Sequence, residues 1–356
     1  MSNIKISNGF PETMRGIWLI GHGDFENLEV RNDIPVPRPG PRDVLINVAA
    51  AGVNNTDINT RIGWYSKNDG ASEDAGWSGN SINLPRIQGI DVCGRIVAVG
   101  KEISTDRIGE RVLVEPCIRE INGEELQEPW FLGSECDGGF AEYTVVASRH
   151  AYRIDSPLLD AELASFPCSY STAENMLTRT KVEKGQRVLI TGASGGVGSA
   201  AIQLARARGA QVVAVTSPAK SEGILDLGAE QTLTRDDDVA QKLGPNSVDV
   251  VIDLVGGTKW GELLDVLRPG GRYGVSGAIG GPIVEMDLRT LYLKDLSLFG
   301  CTALEPEVFP NLIDHIESGR ISPIVAKTFP LEQIAEAQKD FLLKNHIGKI
   351  VLTIDE

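Results

Sequence analysis

Between residues 187 and 198 a short apolar run, Arg187–Thr191 (RVLIT), leads through Gly192-Ala193-Ser194-Gly195-Gly196-Val197-Gly198 into a stretch with helical apolar spacing at Val197, Ala201, Leu204 and Ala205. Strand, glycine turn and helix in that order restrict the fold more than any other feature of the chain. The pattern repeats downstream. Runs 211–216 (QVVAVT), 231–234 and 249–255 (DVVIDLV) read as strands, with helices expected at 219–227 and 259–267 and further strands at 272–276 and 296–299. The 249–255 run is apolar on both faces, as a buried parallel strand requires. Alternation of this kind predicts an α/β region with a parallel sheet covered by helices on both faces.

The first 150 residues read differently. Runs 44–50, 95–99, 111–115 and 141–146 are strand-like and broken by Gly, Pro and Asp, the pattern of an irregular β domain. The tail is expected to form a helix at 331–344 and a last strand at 349–354. Stretches 66–83 and 119–129 read as long loops, which either border an active site or are surface insertions. At 356 residues the chain is long enough for two domains. The net charge of −15 repels nucleic-acid phosphates and anionic lipid, so neither partner is expected. No apolar run reaches the roughly 18 residues that span a bilayer, and residues 1–15 lack the basic-then-apolar order of a signal peptide. A cytoplasmic protein with an intact N-terminus is the expectation. The five cysteines are widely spaced, without a Cys-x-x-Cys pair, and read as buried side chains in a reducing compartment.

Backbone N–H groups at a helix start, aided by the helix dipole, bind a diphosphate. Ala193, Ser194, Gly195, Gly196 and Val197 are therefore candidate cofactor contacts. Gly195 allows close backbone approach and Gly198 close helix–sheet packing, while Ala193 replaces the first glycine of the usual fingerprint. An NAD-binding unit ends its second strand on Asp or Glu to hold the ribose hydroxyls. Here Thr216-Ser217 is followed by Pro218-Ala219-Lys220. Ser217 supplies a hydrogen bond and Lys220 a positive charge, which favours NADP(H); a solvated lysine at a helix start is the competing reading of Lys220.

With these residues in view, the chain resembles the medium-chain dehydrogenase/reductase superfamily over almost its whole length. The segments that carry the resemblance are 48–57 (VAAAGVNNTD), 85–94 (PRIQGIDVCG), 109–114 (GERVLV), 138–143 (GGFAEY), 185–198 and 346–352 (HIGKIVL). It implies a GroES-like β domain built from both ends of the chain (1–155 and 303–356) around an inserted, doubly wound Rossmann domain (156–302). Loops 66–83 and 119–129 fall outside it. Zinc-using members hold a catalytic ion with Cys, His and Cys; the matching positions are Asn54, Ile90 and Cys168, of which only the last keeps a ligand type. The four-cysteine structural lobe is also missing. With Asp91 and Cys168 as the remaining donors, no metal is expected. Asn54 and the segment Asn54-x-x-Asp57-x-x-x-Arg61-x-Gly63-x-Tyr65 resemble the zinc-less quinone oxidoreductase-like branch, which implies reduction of a quinone or an α,β-unsaturated carbonyl compound.

Hydride addition to a conjugated C=C sends negative charge to the carbonyl oxygen, and without a metal that charge needs preorganised donors. Asn54 and Tyr65 are the catalytic candidates, with Asp57 and Arg61 read as a structural charge pair. Trp64, Trp77, Trp130 and Phe131 form either an aromatic wall for a flat substrate or isolated loop aromatics. By resemblance Thr172 sits near the nicotinamide, followed by Val255, Gly277, Ala278 and Cys301 at strand ends, where ligands of parallel sheets collect. A homodimer through the Rossmann sheet edge is implied as well. Two alternatives stand beside the NADPH-dependent reductase: a zinc alcohol dehydrogenase with a degenerate site, and a non-catalytic NADPH-binding protein.

Overall fold

A computed structural model describes residues 6–7, 9–66, 76 and 81–354. The chain divides into two units. The first comprises 1–168, 323–345 and 349–356; the second comprises 169–322 and 346–348.

The first unit is built on Asp43–Val53 (DVLINVAAAGV), whose residues are nearly all buried. This strand pairs antiparallel with Cys93–Val99 and Tyr143–Ala147, and at its far end with Lys349–Thr353, in register Ile350 to Val53. The C-terminal strand thus returns into the sheet begun near the N-terminus, as expected of a GroES-like domain. Arg111–Val114 and Ala151–Arg153 extend one side and Val325–Pro330 the other. The core includes Val44, Ile46, Val48, Ile90, Val92 and Leu352. Directly after the central strand comes helix Asn55–Ile62, whose N-cap is Asn54 and which stops at Gly63 in the left-handed region (φ 71°).

The acidic stretch 119–129 is not a loop. Cys117–Ile121 and Glu124–Phe131 pair as an antiparallel hairpin. Asn122 and Gly123 both have positive φ (53° and 81°), the requirement of a type I′ turn, which Asn-Gly meets at little cost. Phe131 is buried, and the partly buried Trp130 packs against the core. Both rings are carried by the hairpin. Trp64 is 42% exposed, and Trp77 lies outside the described residues.

The second unit holds a six-stranded parallel sheet. Its order runs Gln231–Thr234, Gln211–Thr216, Arg187–Ile190, Val248–Asp253, Leu267–Val275, Ser297–Gly300. In sequence terms this is 3-2-1-4-5-6, the doubly wound Rossmann order. The fifth strand starts at Leu267, earlier than its Pro-Gly-Gly punctuation suggests, and absorbs Pro269-Gly270-Gly271 in an irregular pairing. The core gathers Leu189, Val213, Val251, Trp260, Leu263 and Tyr273. Helix Val308–Glu317 buries Val308, Phe309, Leu312 and Ile316 and also belongs to this unit.

Candidate active site

In the second unit the chain leaves Arg187–Ile190 through Gly192 (φ 59°) and enters helix Gly196–Ala207 with Gly195 as N-cap. Two glycines of the turn differ in purpose. A Cβ at Gly198 would lie 2.6 Å from Ala193 Cα, so that glycine is demanded by packing beneath the turn. A Cβ at Gly195 would meet only the Gly192 oxygen, at 3.5 Å. No protein atom requires glycine there, and Gly195 is exposed, so its open side suits a ligand that rests on the backbone. The leading N–H groups of the helix have no intrahelical partner and carry the positive end of its dipole. Ala193 is fully buried, so only its backbone is available to a ligand, while Gly196 and Val197 are half-buried.

Beside the turn, Lys220 Nζ donates to Ser194 Oγ at 3.3 Å. Burial, and after it the charge of Arg235, pull the Lys220 ammonium below its ordinary pKa. Ser217 is half-buried. Thr216, 2% exposed, carries a hydroxyl with no hydrogen-bond partner among the described residues. A buried orphan hydroxyl at the end of a parallel strand is the kind of atom a bound nucleotide satisfies.

At the end of the fourth strand, buried Asp253 organises the next turn. Its Oδ1 accepts from Thr191 Oγ1 (2.5 Å), Val255 N (2.9 Å) and Gly256 N (3.2 Å), and its Oδ2 accepts from Tyr273 OH (2.6 Å). Trp260 Nε1 donates to Tyr273 OH at 2.9 Å. The carboxylate that fixes the Val255 backbone carries no role in the sequence analysis; the second of the two Asp in DVVIDLV is its only signal. Gly277 and Ala278 are half-buried beyond the neighbouring strand end, and buried Cys301 donates its N–H to the Val275 oxygen at 2.9 Å. Thr172 is half-buried on helix Pro167–Arg179.

In the first unit, Asn54 is 6% exposed. Its Nδ2 donates to Gly52 O (3.2 Å) and to Asp91 Oδ2 (2.8 Å). Its Oδ1 accepts from Lys349 Nζ, which also pairs with Asp91 Oδ2 at 2.8 Å. The amide is assigned this way round because the opposite orientation would set an NH2 against an ammonium. Asp91 Oδ1 accepts from the backbone N–H of Cys168 at 2.5 Å. Both Asn54 amide protons are therefore engaged inside the protein. An Asn54 donor waiting for substrate is corrected to an Asn54 held between a carboxylate and an ammonium.

Asp57 and Arg61 do not form the expected pair; each has its own partners. Asp57 Oδ2 accepts from Asn54 N (2.8 Å) and Oδ1 from Gly89 N (3.3 Å). Burial raises its pKa to about 7. Arg61 donates to Gln338 Oε1 and Gly23 O, lies 3.8 Å from Asp24 and stacks on Phe25. The Tyr65 hydroxyl donates to Thr56 Oγ1 at 3.2 Å, and Asn59 Nδ2 lies 3.5 Å from it. Burial raises its pKa further above 10 and keeps the phenol neutral. Its ring meets Trp64 edge-on at 5.5 Å.

Comparison with known proteins places the chain. Residues 40–156 match the family model described as the alcohol dehydrogenase GroES-like domain, and 196–318 match that of zinc-binding dehydrogenases. The chain is 30% identical to a quinone oxidoreductase of Homo sapiens over 355 residues, covering 96% of this chain and 98% of the relative. It is 31% identical to an acryloyl-coenzyme A reductase of Sulfurisphaera tokodaii, covering 90% and 95%. A crystal structure of a putative alcohol dehydrogenase from Sinorhizobium meliloti 1021 superimposes with a TM-score of 0.91 at 44% identity, covering 98% of both chains.

The chain belongs to the quinone oxidoreductase-like branch of the medium-chain dehydrogenase/reductase superfamily.

Members of this oxidoreductase superfamily bind a nicotinamide cofactor, and the glycine turn of this member offers what such a ligand needs. Zinc is a different matter. At the three positions matching zinc ligands, Asn54 gives its oxygen to Lys349, Ile90 is a core side chain, and Cys168 is a buried thiol. Asp91 already takes three donors. Among the described residues no group of three or more His, Cys, Asp or Glu is arranged to hold a metal ion. The donors present do not fit zinc. Lys349, the centre of this cluster, was visible in the sequence only as part of the HIGKIVL resemblance and received no role there.

Proposed function

We propose that the chain is an NADPH-dependent, zinc-independent reductase that transfers hydride to a quinone or an α,β-unsaturated carbonyl compound. The observation that carries this reading is the closed set of bonds among Asn54, Asp91 and Lys349, which leaves the Cys168 thiol as the one ligand type at the three matched positions, too few for zinc. The names of the two curated relatives, a quinone oxidoreductase and an acryloyl-coenzyme A reductase, favour the same acceptor class. The cofactor, when bound, supplies the hydride. NADPH is favoured by Lys220 and Ser217 following a second strand that ends without a carboxylate.

Hydride addition at the carbon β to a carbonyl generates an enolate oxygen, and a proton from a donor completes the reduction. Tyr65 is assigned the donor to that oxygen, its single hydroxyl proton turning from Thr56 Oγ1 to the substrate. As a neutral phenol with a raised pKa, it stabilises the charge by hydrogen bonding while solvent provides the proton. Asn54 is assigned a positioning role. Ala193, Ser194, Gly195, Gly196 and Val197 are assigned to the diphosphate, and Thr216, Ser217 and Lys220 to the adenosine ribose and its phosphate. Thr172, Val255, Gly277, Ala278 and Cys301 are assigned to the nicotinamide side. Five cysteines outside any disulfide suit a reducing, cytoplasmic setting, and the exposed Leu298 on edge strand Ser297–Gly300 suits a homodimer.

The experiment is a panel of quinones, enals and enones with NADPH and with NADH, followed by nicotinamide absorbance, on protein whose metal content has been measured. Turnover with NADPH and conjugated acceptors, unchanged by chelators, is the expected result. Stoichiometric zinc that is required for activity, or NADPH binding without turnover of any acceptor, would overturn it.

A further inference from the structure

The Asp253 carboxylate holds more than its own turn. It is fully buried and takes four donors, all of them neutral: Thr191 Oγ1, Val255 N, Gly256 N and Tyr273 OH. Gly256 N lies 3.2 Å from each of its oxygens. A carboxylate has two oxygens with room for about four donors, whereas an Asn amide has a single oxygen and brings donors of its own. Only the carboxylate satisfies this set.

The bonds around it run in fixed directions. The indole N–H of Trp260 can only donate and a carboxylate can only accept. The Tyr273 hydroxyl between them therefore accepts from Trp260 at 2.9 Å and donates to Asp253 at 2.6 Å. On the other side the Thr191 hydroxyl accepts from Leu254 N at 2.9 Å and donates to Asp253. Burial, and after it the charge of Asp253, push the Tyr273 phenol above its ordinary pKa and keep it a neutral donor. We propose that Tyr273 is a positioning residue for the cofactor: through Asp253 it sets the Val255–Gly256 turn against the glycine turn, so that a dinucleotide meets both turns at the right spacing. This rests on the assignment of Val255 to the nicotinamide side and of residues 193–197 to the diphosphate, and adds the side chains that hold those two turns in place.

The two turns lie side by side. Thr191 directly precedes the glycine turn, and its backbone N–H donates to Ile252 O at 3.0 Å across the parallel pair Arg187–Ile190 and Val248–Asp253. A Cβ at Gly192 would meet Val255 Cγ2 at 3.3 Å. Beyond Val255 the chain bends through Gly256 and Gly257, both in the left-handed region (φ 61° and 79°). A glycine pair has wide conformational freedom, and the grip of Asp253 on Val255 N and Gly256 N removes it where the cofactor would rest. Tyr273 lies on the next strand, Leu267–Val275, with its ring edge-on to Trp260 at 5.8 Å. Both rings are core side chains, so their effect on a ligand passes through Asp253.

The test uses the full chain as wild type, Tyr273→Phe and Trp260→Phe, each titrated with two pairs of ligands: NADPH with 2′,5′-ADP, and NADH with 5′-AMP. The second member of each pair carries only the adenosine half. The pair that the wild type binds gives the result, which makes it independent of the choice between the two cofactors. Tyr273→Phe takes a donor from Asp253 Oδ2. It is expected to weaken the dinucleotide about tenfold, the worth of one charge-assisted hydrogen bond, while the fragment stays unchanged and the bound reduced nicotinamide shows lower fluorescence anisotropy. Trp260→Phe keeps the Tyr273–Asp253 bond and is expected to move the same ratio in the same direction by about threefold; it decides alone if Tyr273→Phe does not fold. A wild type that binds neither reduced cofactor removes the nicotinamide reading and this inference with it. A wild type that binds one, with the ratio of dinucleotide to fragment unchanged in the variants, removes only the inference. Equal loss of both ligands, or a lower urea midpoint with both affinities intact, shows a purely structural role for Tyr273 and overturns it as well.

Discussion

Lys349 Nζ lies 2.8 Å from Asp91 Oδ2, and both side chains are sealed from solvent at 2% and 0% exposure. Asn54 bonds to both members of the pair, and Asp91 also accepts from the backbone N–H of Cys168. A buried ion pair is not in itself a source of stability, since desolvation offsets much of the attraction. Its consequence is interdependence: remove one charge and the other is stranded.

Lys349→Met should therefore destabilise the protein by about 3–5 kcal/mol, the usual cost of an uncompensated buried charge. Asp91 would keep only two neutral donors, Cys168 N and Asn54 Nδ2. Adding Asp91→Leu to that variant should recover much of the loss. Urea denaturation of the two single variants and the double variant measures the coupling. Additive losses would show that the two charges do not depend on each other.

Asp57 sets a pH dependence of stability. Burial raises its folded pKa to about 7, from 3.8, with Asp91 adding to the rise and Lys349 opposing it. The folded state thus binds the proton more tightly than the unfolded chain. The stability from this group is fully present below the unfolded pKa and is lost as pH rises toward and through 7. The urea midpoint should fall between pH 5 and pH 8, and the fall should be shallower in Asp57→Asn, which stays uncharged. An equally steep fall in that variant would assign the effect to other groups.

How much of this was legible in residues alone follows from what each feature rests on. The parallel sheet and its glycine turn were readable because strand, turn and helix are encoded by near neighbours in sequence. The hairpin at 117–131 was missed although Asn122-Gly123 signals it, since the acidic flanks mask the alternation. The Asn54–Asp91–Lys349 cluster was not readable, because its members lie 37 and 258 positions apart and meet only through sheet pairing. The bonds of Asn54 to Asp91 and Lys349 were likewise hidden, since sequence cannot show which partners an amide already has.

Lys220→Glu tests the cofactor side. A carboxylate at the end of the second strand repels a 2′-phosphate and accepts from ribose hydroxyls instead. NADPH affinity should fall at least tenfold, with NADH affected far less, at a cost of roughly 1.4 kcal/mol or more in cofactor discrimination. Fluorescence titration of both reduced cofactors provides the measurement. Equal loss for the two would separate Lys220 from the phosphate.

The sheet edge of the second unit makes the last prediction. Strand Ser297–Gly300 is the outermost of six, with only Leu267–Val275 at its side. Leu298 on this strand is 39% exposed, and in the segment that leads to it Leu293 (70%), Leu288 (63%) and Ile283 (87%) are exposed as well. An edge strand with an exposed apolar side chain is a template for pairing with another chain, and in the proposed homodimer a second copy would add its own edge antiparallel across a two-fold axis. Leu298→Lys places a charge on that edge. It should convert a dimer to a monomer in light scattering behind size exclusion while leaving nucleotide binding to the glycine turn intact. A wild type that is already monomeric at micromolar concentration, or a Leu298→Lys variant that remains dimeric, would show that this edge is not the pairing surface.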